Sequence, residues 1–392
     1  MATAIQLSGI RQDLVVPPIL TLELYRKLLT VFYIEERMKI LVKQGKCSFQ
    51  ASTRGHEKLQ IGMTMLLKPG HDWFFTYYRS KAIAVGLGMP LKDIFLGMLS
   101  REGDPNSNGR NMPEHWSSRR LHLVSRTAVT GTQYLNAVGM ARAIQADGRD
   151  EIVHVSSGDG ATSEGEFFEA LNWAQREKLP VLFLVQNNGL AISTRQHHQT
   201  SADIYRIAGG FGMPAYRIDG TSFDSIYETV PMVVSSIRAG EGPALIEANV
   251  VRLDPHSSSD DLRKYRDESD LNAVNRRDPI LRTERYLLAH DMLTSKELES
   301  MRSEIKAAVD LAAEEADAQP APSSSNLMAH IYANDPVVLG PPTTATYVST
   351  EPVAMIDAIN HGLREELERN PKAVLWGQDI ADPRREGVKR IV

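Results

Sequence analysis

The chain has 392 residues, 42% of them hydrophobic, a net charge of -5 and a single cysteine, Cys47. That length and apolar content suffice for one large core with accessory elements, while the acidic balance leaves no basic footprint for nucleic acid. One cysteine permits no internal disulfide and points to a reducing compartment, the cytoplasm; no stretch is apolar enough to span a membrane, and no basic-then-apolar signal opens the sequence.

After an N-terminal arm (1–19), Leu24, Leu28, Val31, Met38 and Leu41 recur at helical spacing and predict a long helix, and residues 134–146 predict another. Ile152, Val153 and Val155 form a short apolar run ending in glycines, which reads as a strand leaving a core. Ser163-Glu164-Gly165-Glu166 carries a Ser-x-x-Glu capping pattern, so a helix through Phe167, Leu171 and Ala174 is expected to begin there and stop before Pro180. Residues 181–185 are then a second buried strand. Strand, helix and strand of this length form a right-handed parallel crossover, which puts Asp159 and Asn188 at carboxyl ends of neighbouring strands. Residues 244–251 predict a further strand. Thr294-Ser295-Lys296-Glu297 starts a late helix running to about 318.

The two strand ends carry the chemistry. Mg²⁺ takes an octahedron of hard oxygens, few of them from protein and the rest from phosphate and water. Asp159, Asn188 and a backbone carbonyl meet that demand, and Gly158 and Gly160 let the main chain approach a phosphate. Taken singly, an Asp between glycines also reads as a local cap and Asn-Asn-Gly as a turn; their joint order and spacing favour the metal. This is not a dinucleotide fingerprint, because Ser163 stands where a third glycine or alanine is required.

Gly158-Asp159-Gly160, twenty-six residues and then Asn187-Asn188 resembles the thiamine-diphosphate motif of transketolase-like enzymes. Four more stretches narrow the resemblance to the α subunit of the first, decarboxylating component of 2-oxo acid dehydrogenase complexes. They are Gly55-His56-Glu57, Tyr77-Tyr78-Arg79, Gly109-Arg110-Asn111-Met112-Pro113-Glu114-His115, and His256-Ser257-Ser258-Ser259-Asp260-Asp261 with Tyr265-Arg266 behind it, together spanning about residues 20 to 290. The resemblance implies the thiamine-diphosphate-binding α/β fold, a mainly parallel sheet with helices on both faces, over residues 20–318. It implies that Arg79 grips the diphosphate with its two-pronged guanidinium, Tyr78 beside it, and that Asp159, Asn188 and the Leu190 carbonyl hold Mg²⁺. Gly160 and Ala161 contact the diphosphate, Ala128 and Thr130 the aminopyrimidine, and Gln186 stands where some members carry a second phosphate-binding arginine. His256 and His115 match histidines near the reactive carbon, where an imidazole can exchange a proton; alone, each reads as a surface histidine. By composition, residues 257–261 are a flexible, solvated loop.

The implied function is decarboxylation of pyruvate or a branched-chain 2-oxo acid, with the acyl group passed to a lipoyl-bearing acyltransferase component. The implied partner is a β subunit, in an α2β2-type assembly, which supplies the glutamate that activates the cofactor. An acetoin-cleaving enzyme and a catalytically silent assembly protein remain as alternatives. Residues 319–350 are rich in Pro, Ser, Ala and Thr and read as a linker. Beyond them, a helix over 353–369, a strand over 373–376 and Gly377-Gln378-Asp379 resemble the start of the β subunit, so the chain reads as a fused form cut short early in its β module. A helix and one strand cannot bury a core, and 351–392 are expected to be poorly ordered.

Overall fold

The computed structural model describes residues 4–6, 16–329, 331–332 and 352–377 and divides into two units, Met1–Leu327 and Met328–Val392. In chain order the strands of the first unit are β1 (Ala4–Gln6), β2 (Trp73–Phe75), β3 (Val153–Gly158), β4 (Val181–Asn187), β5 (Leu190–Ala191), β6 (Thr194–Arg195), β7 (Ala215–Asp219) and β8 (Ala244–Asn249). Six of them form one sheet in the order β1-β7-β8-β4-β3-β2, every pair parallel, and β5 and β6 make a separate antiparallel hairpin.

The pleat explains why the central strands carry apolar residues on both faces. On β4, Leu182 and Leu184 face one core while Val181, Phe183 and Val185 face the other, and on β8 Ala244, Ile246 and Ala248 oppose Leu245 in the same way. Helix Pro18–Lys43 closes the first face with Leu24, Leu28, Val31, Met38 and Leu41 buried. Each such side chain contributes about 1.5–3 kcal/mol by leaving water. Helices Gln133–Ala146 and Gly165–Glu177 close the second. Helix Ser295–Asp317 lies against Pro18–Lys43, and its start is a capping box in which Thr294 and Glu297 bond each other's backbone.

Two local expectations are corrected. Ser163 does not cap the helix after β3: residues Asp159–Ser163 form a 3-10 turn, the helix spans Gly165–Glu177, and its N-cap is Glu164 without a side-chain cap bond. The turn prevails because the Thr162 hydroxyl donates to the Asp159 carbonyl at 2.7 Å and tightens the chain before the helix can start. In the second unit, helix Met355–Arg369 forms, but 373–376 is not a strand. A strand exists only as part of a ladder, and none is paired with it among the described residues. Residues 333–351 and 378–392 lie outside the described residues.

A buried ion cluster positions the segments that build the site. Lys81 Nζ lies 3.0 Å from Glu35 Oε2 and 2.8 Å from Glu114 Oε1, with all three side chains fully buried. Burial acts to raise the Glu35 carboxyl, but Lys81 and the Thr53 hydroxyl and amide outweigh it and hold it below the ordinary carboxylate range. Burial dominates at Glu114 and pushes it up to about 7 despite Lys81. Glu35 thereby ties down Thr53 at 2.7 Å and Gln50 at 2.6 Å. Replacing Lys81 with Met leaves two buried carboxylates without a cation and is expected to lower unfolding free energy by about 3–5 kcal/mol. Glu114→Gln, which leaves the Lys81–Glu35 pair intact, should cost much less in the same urea titration, and equal losses would contradict this ranking.

Candidate active site

Asp159 directly follows β3 and Asn188 directly follows β4, and because the strands are parallel neighbours the two residues meet at one sheet edge. Asp159 is 1% exposed and its Oδ1 accepts the Asn188 amide at 3.4 Å. Its Oδ2 is buried with no partner among the described residues. Burial is the largest influence on this carboxyl and raises it from an ordinary 3.8 to about 6, against the pull of nearby backbone amides, Asn188's included. The Asn188 side-chain oxygen accepts from the Leu190 amide at 3.2 Å, and its nitrogen faces His56 Nε2 at 3.3 Å. Hairpin β5–β6 folds closely over the turn after β3. A Cβ on residue 160 would sit 2.7 Å from that of Ala191, so only glycine permits the approach.

Of the residues expected at the site, Tyr78, Arg79, Thr130, Asp159, Gly160, Ala161, Asn188, Leu190 and His256 line one cavity of about 280 Å³. Three do not. Ala128 is exposed and outside the cavity wall. His115 donates its Nδ1–H to the Pro113 carbonyl at 3.1 Å, and its buried Nε2 has no partner among the described residues. Gln186 is fully buried behind the wall, where its Oε1 lies 3.1 Å from His56 Nδ1 and 2.8 Å from Gln60 Nε2.

Arg79 is buried, with Nη1 on the Ser52 carbonyl at 2.7 Å and Nη2 on the His256 carbonyl at 3.1 Å. The Tyr78 ring lies between cations, 5.3 Å from the Arg79 guanidinium carbon and 5.5 Å from that of Arg126. Burial first, then Arg79 and Arg252, press the His256 imidazole down to about 4, opposed only by Asp260. It is therefore neutral at pH 7 rather than titrating near neutrality. His56 is likewise held neutral, at about 3, by burial and then by Arg79.

The serine-rich loop is held rather than free. Ser258 and Gln50 exchange two bonds, amide to carbonyl at 2.8 Å and amide to hydroxyl at 3.2 Å, and Asp260 Oδ2 accepts from the His256 amide at 2.8 Å and from the Tyr265 hydroxyl. Composition could not reveal the bonds to Gln50, because that partner lies far away in sequence.

Sequence reasoning missed Tyr77, Arg126, Gln133 and Glu164 on the cavity wall. Arg126 is the consequential one: it is 7% exposed, burial lowers its guanidinium to about 10, and its Nη1 has no partner among the described residues. The available signal was its place two residues before Ala128, which the resemblance puts against the aminopyrimidine.

No group of three or more His, Cys, Asp or Glu side chains is placed to hold a metal among the described residues. The donors at this edge are a carboxylate, an amide oxygen and a backbone carbonyl, a set that suits Mg²⁺ sharing its sphere with phosphate oxygens. The unpartnered Asp159 Oδ2 fits that role.

Residues 25–325 match the model of the dehydrogenase E1 component family. The chain belongs to this family. It is 34% identical over 312 residues to the 2-oxoisovalerate dehydrogenase subunit alpha of Bacillus subtilis, covering 79% of this chain and 94% of the relative. It is 30% identical over 320 residues to the pyruvate dehydrogenase E1 component subunit alpha of Staphylococcus aureus, covering 80% and 82%. This E1 chain is thus an α-type subunit of a thiamine-diphosphate-dependent 2-oxo acid dehydrogenase, an oxidoreductase family that works with a β subunit. No described helix is long and apolar enough to cross a membrane.

The desolvated Asp159 carboxylate is a cost carried by the metal-free protein. An acid whose folded value lies above its unfolded one loses stability as pH rises, here between about pH 4 and 6, by on the order of 3 kcal/mol. Asp159→Asn should therefore raise the melting temperature of the metal-free chain at pH 8 and lose that advantage below about pH 4. A variant less stable than the parent at pH 8 would contradict the burial argument.

Proposed function

We propose that this E1 α chain holds thiamine diphosphate through Mg²⁺ at Asp159, Asn188 and the Leu190 carbonyl and decarboxylates a branched-chain 2-oxo acid. The observation that carries the reading is the buried Asp159 Oδ2, without a partner among the described residues, in the same cavity as Arg79 and His256. Arg79, which bonds the Ser52 and His256 carbonyls, would hold the diphosphate, since a guanidinium makes stronger, charge-assisted bonds to phosphate than to a carbonyl. Gly160 and Ala161 add backbone donors, and Arg126 adds positive charge on the same wall. Ala128, Gln186 and His115 have no part in this assignment, since none lines the cavity.

Thiamine diphosphate supplies a carbon nucleophile and an electron sink for the loss of CO₂. The chain's own contribution is orientation and exclusion of water. Tyr78 and Thr130 would border the cofactor, and neutral His256, with its amide fixed on Asp260 and its Nδ1 facing the donor-only Arg79 guanidinium at 3.4 Å, would offer its remaining ring N–H to the oxygen of the reacting carbonyl and help guide the acyl group. A β subunit completes the site, and a lipoyl-bearing acyltransferase receives the acyl group. Residues 20–318 act as the cofactor domain and 319–350 as a linker, with 351–392 resembling the opening of a β subunit.

The branched substrate is favoured over pyruvate by the higher identity and fuller coverage of the 2-oxoisovalerate dehydrogenase relative. With Mg²⁺, thiamine diphosphate and a β subunit of this family added, CO₂ release should be at least about tenfold more efficient, in kcat/KM, with 2-oxoisovalerate than with pyruvate, a gap of about 1.4 kcal/mol. A preference for pyruvate would overturn the substrate, and no release from either would overturn the enzymatic reading.

A further inference from the structure

Behind Asn188 lies a chain of buried polar groups whose direction is fixed from one end. Gln60 Nε2 is 2.6 Å from the Arg79 carbonyl. A carbonyl only accepts, so this corner of the Gln60 amide is its NH₂ and not its oxygen. The same NH₂ donates to Gln186 Oε1 at 2.8 Å, which makes that corner of Gln186 an acceptor. Gln186 Oε1 in turn faces His56 Nδ1 at 3.1 Å, so Nδ1 carries the imidazole proton and Nε2 is bare. The Tyr77 hydroxyl, 3.3 Å from Nδ1, can share that proton. Bare Nε2 accepts from Asn188 Nδ2 at 3.3 Å. With its NH₂ turned to His56, Asn188 directs its oxygen elsewhere, and that oxygen accepts once, from the Leu190 amide at 3.2 Å, which leaves a lone pair.

Every step resists reversal. Turning Gln60 sets oxygen against the Arg79 carbonyl, and turning Gln186 sets one NH₂ against another. The chain keeps its polarity even though Gln60 Oε1 and Gln186 Nε2 are left without partners among the described residues. His56, Gln60 and Gln186 are fully buried, so water does not stand in for a missing donor. The backbone is fixed as well: Gly55 has φ of 95°, and a Cβ there would lie 2.0 Å from the Val251 carbonyl oxygen.

We infer that His56 is a positioning residue for Asn188: its Nδ1-protonated tautomer, dictated by the Arg79 carbonyl through Gln60 and Gln186, keeps the Asn188 oxygen available to a divalent cation. The opposite tautomer would draw that oxygen to His56 and present an NH₂, which cannot ligate a metal. The same relay joins the backbone of the diphosphate arginine to the cation ligand, so the two halves of the site are aligned before either is filled. This inference rests on the reading of Asp159 and Asn188 as cation ligands.

Mn²⁺ is a suitable probe, titrated into the full-length chain with thiamine diphosphate while free Mn²⁺ is counted by electron paramagnetic resonance. His56→Leu should weaken Mn²⁺ binding by about 10- to 100-fold, the usual effect of losing a partner that orients a ligand. Gln60→Met should weaken it in the same direction, although Gln60 lies behind Gln186 and is absent from the cavity wall. A long-range proton–nitrogen spectrum of the unaltered protein should show the His56 ring protonated at Nδ1 and bare at Nε2, with a second tautomer appearing in Gln60→Met. Undiminished Mn²⁺ affinity in folded His56→Leu and Gln60→Met, or an Nε2-protonated ring in the unaltered protein, would overturn the inference. Asp159→Ala separates the two levels: if it abolishes Mn²⁺ binding while the His56 and Gln60 variants do not, the relay alone fails, and if it too leaves binding intact, the cation site itself fails.

Discussion

A carboxylate removed from water at the end of a parallel strand is the constraint on which the site depends. Asp159 is 1% exposed, one of its oxygens has no partner among the described residues, and burial raises its carboxyl to about 6. Such a group is stable as an anion only beside a cation, and none of the described lysines or arginines bonds it. The sheet supplies the remaining geometry. Because β3 and β4 are parallel neighbours in register from Val153↔Val181 to Gly158↔Gln186, Asp159, one residue past the last pair, and Asn188, two past it, emerge close together without long loops. Both faces of the sheet are sealed by apolar helices, so ligands have access at the strand ends.

The walls of the cavity are held by buried charge rather than by apolar contact alone. Lys81 between Glu35 and Glu114 fixes residues 50–53, and Arg54 between Glu57 and Asp278, 2.6 Å from the latter, fixes the turn that follows. Arg79 reads the first of these segments through the Ser52 carbonyl, and His56 stands on the second. Networks of this kind add little net stability compared with a well-packed apolar core, but removing one member is costly, so they hold one arrangement against alternatives. Precision at the cavity is the use to which that rigidity is put.

What the sequence disclosed and what it concealed divide along the distance between partners. Asp159 with Asn188 was legible because both are set by one strand–helix–strand unit whose apolar runs, glycines and Pro180 are local signals. The Thr294 capping box was legible for the same reason. Gln186 shows the opposite: standing where some members of the resembling family carry a phosphate-binding arginine, it was expected at the cofactor, yet it points to His56 and Gln60, more than a hundred residues earlier. Arg126 was passed over because nothing in its neighbourhood marks a guanidinium as buried; its burial comes from Tyr78 and the cavity wall. The capping pattern at Ser163 failed because the competing Thr162 bond to Asp159 is also local and acts first. The strand expected at 373–376 failed because its pattern specifies a strand but cannot supply the neighbour it must pair with.

The central claim is that a divalent cation and the buried Asp159 carboxylate together create the cofactor site. The most direct test is calorimetric titration of the full-length chain with thiamine diphosphate at pH 6, with Mg²⁺ and with a chelator, in buffers of differing ionisation heat. The account predicts binding that is at least about a hundredfold tighter with Mg²⁺, accompanied by proton release as Asp159 ionises on meeting the cation. Equal affinity with and without Mg²⁺, with no proton released, would contradict it.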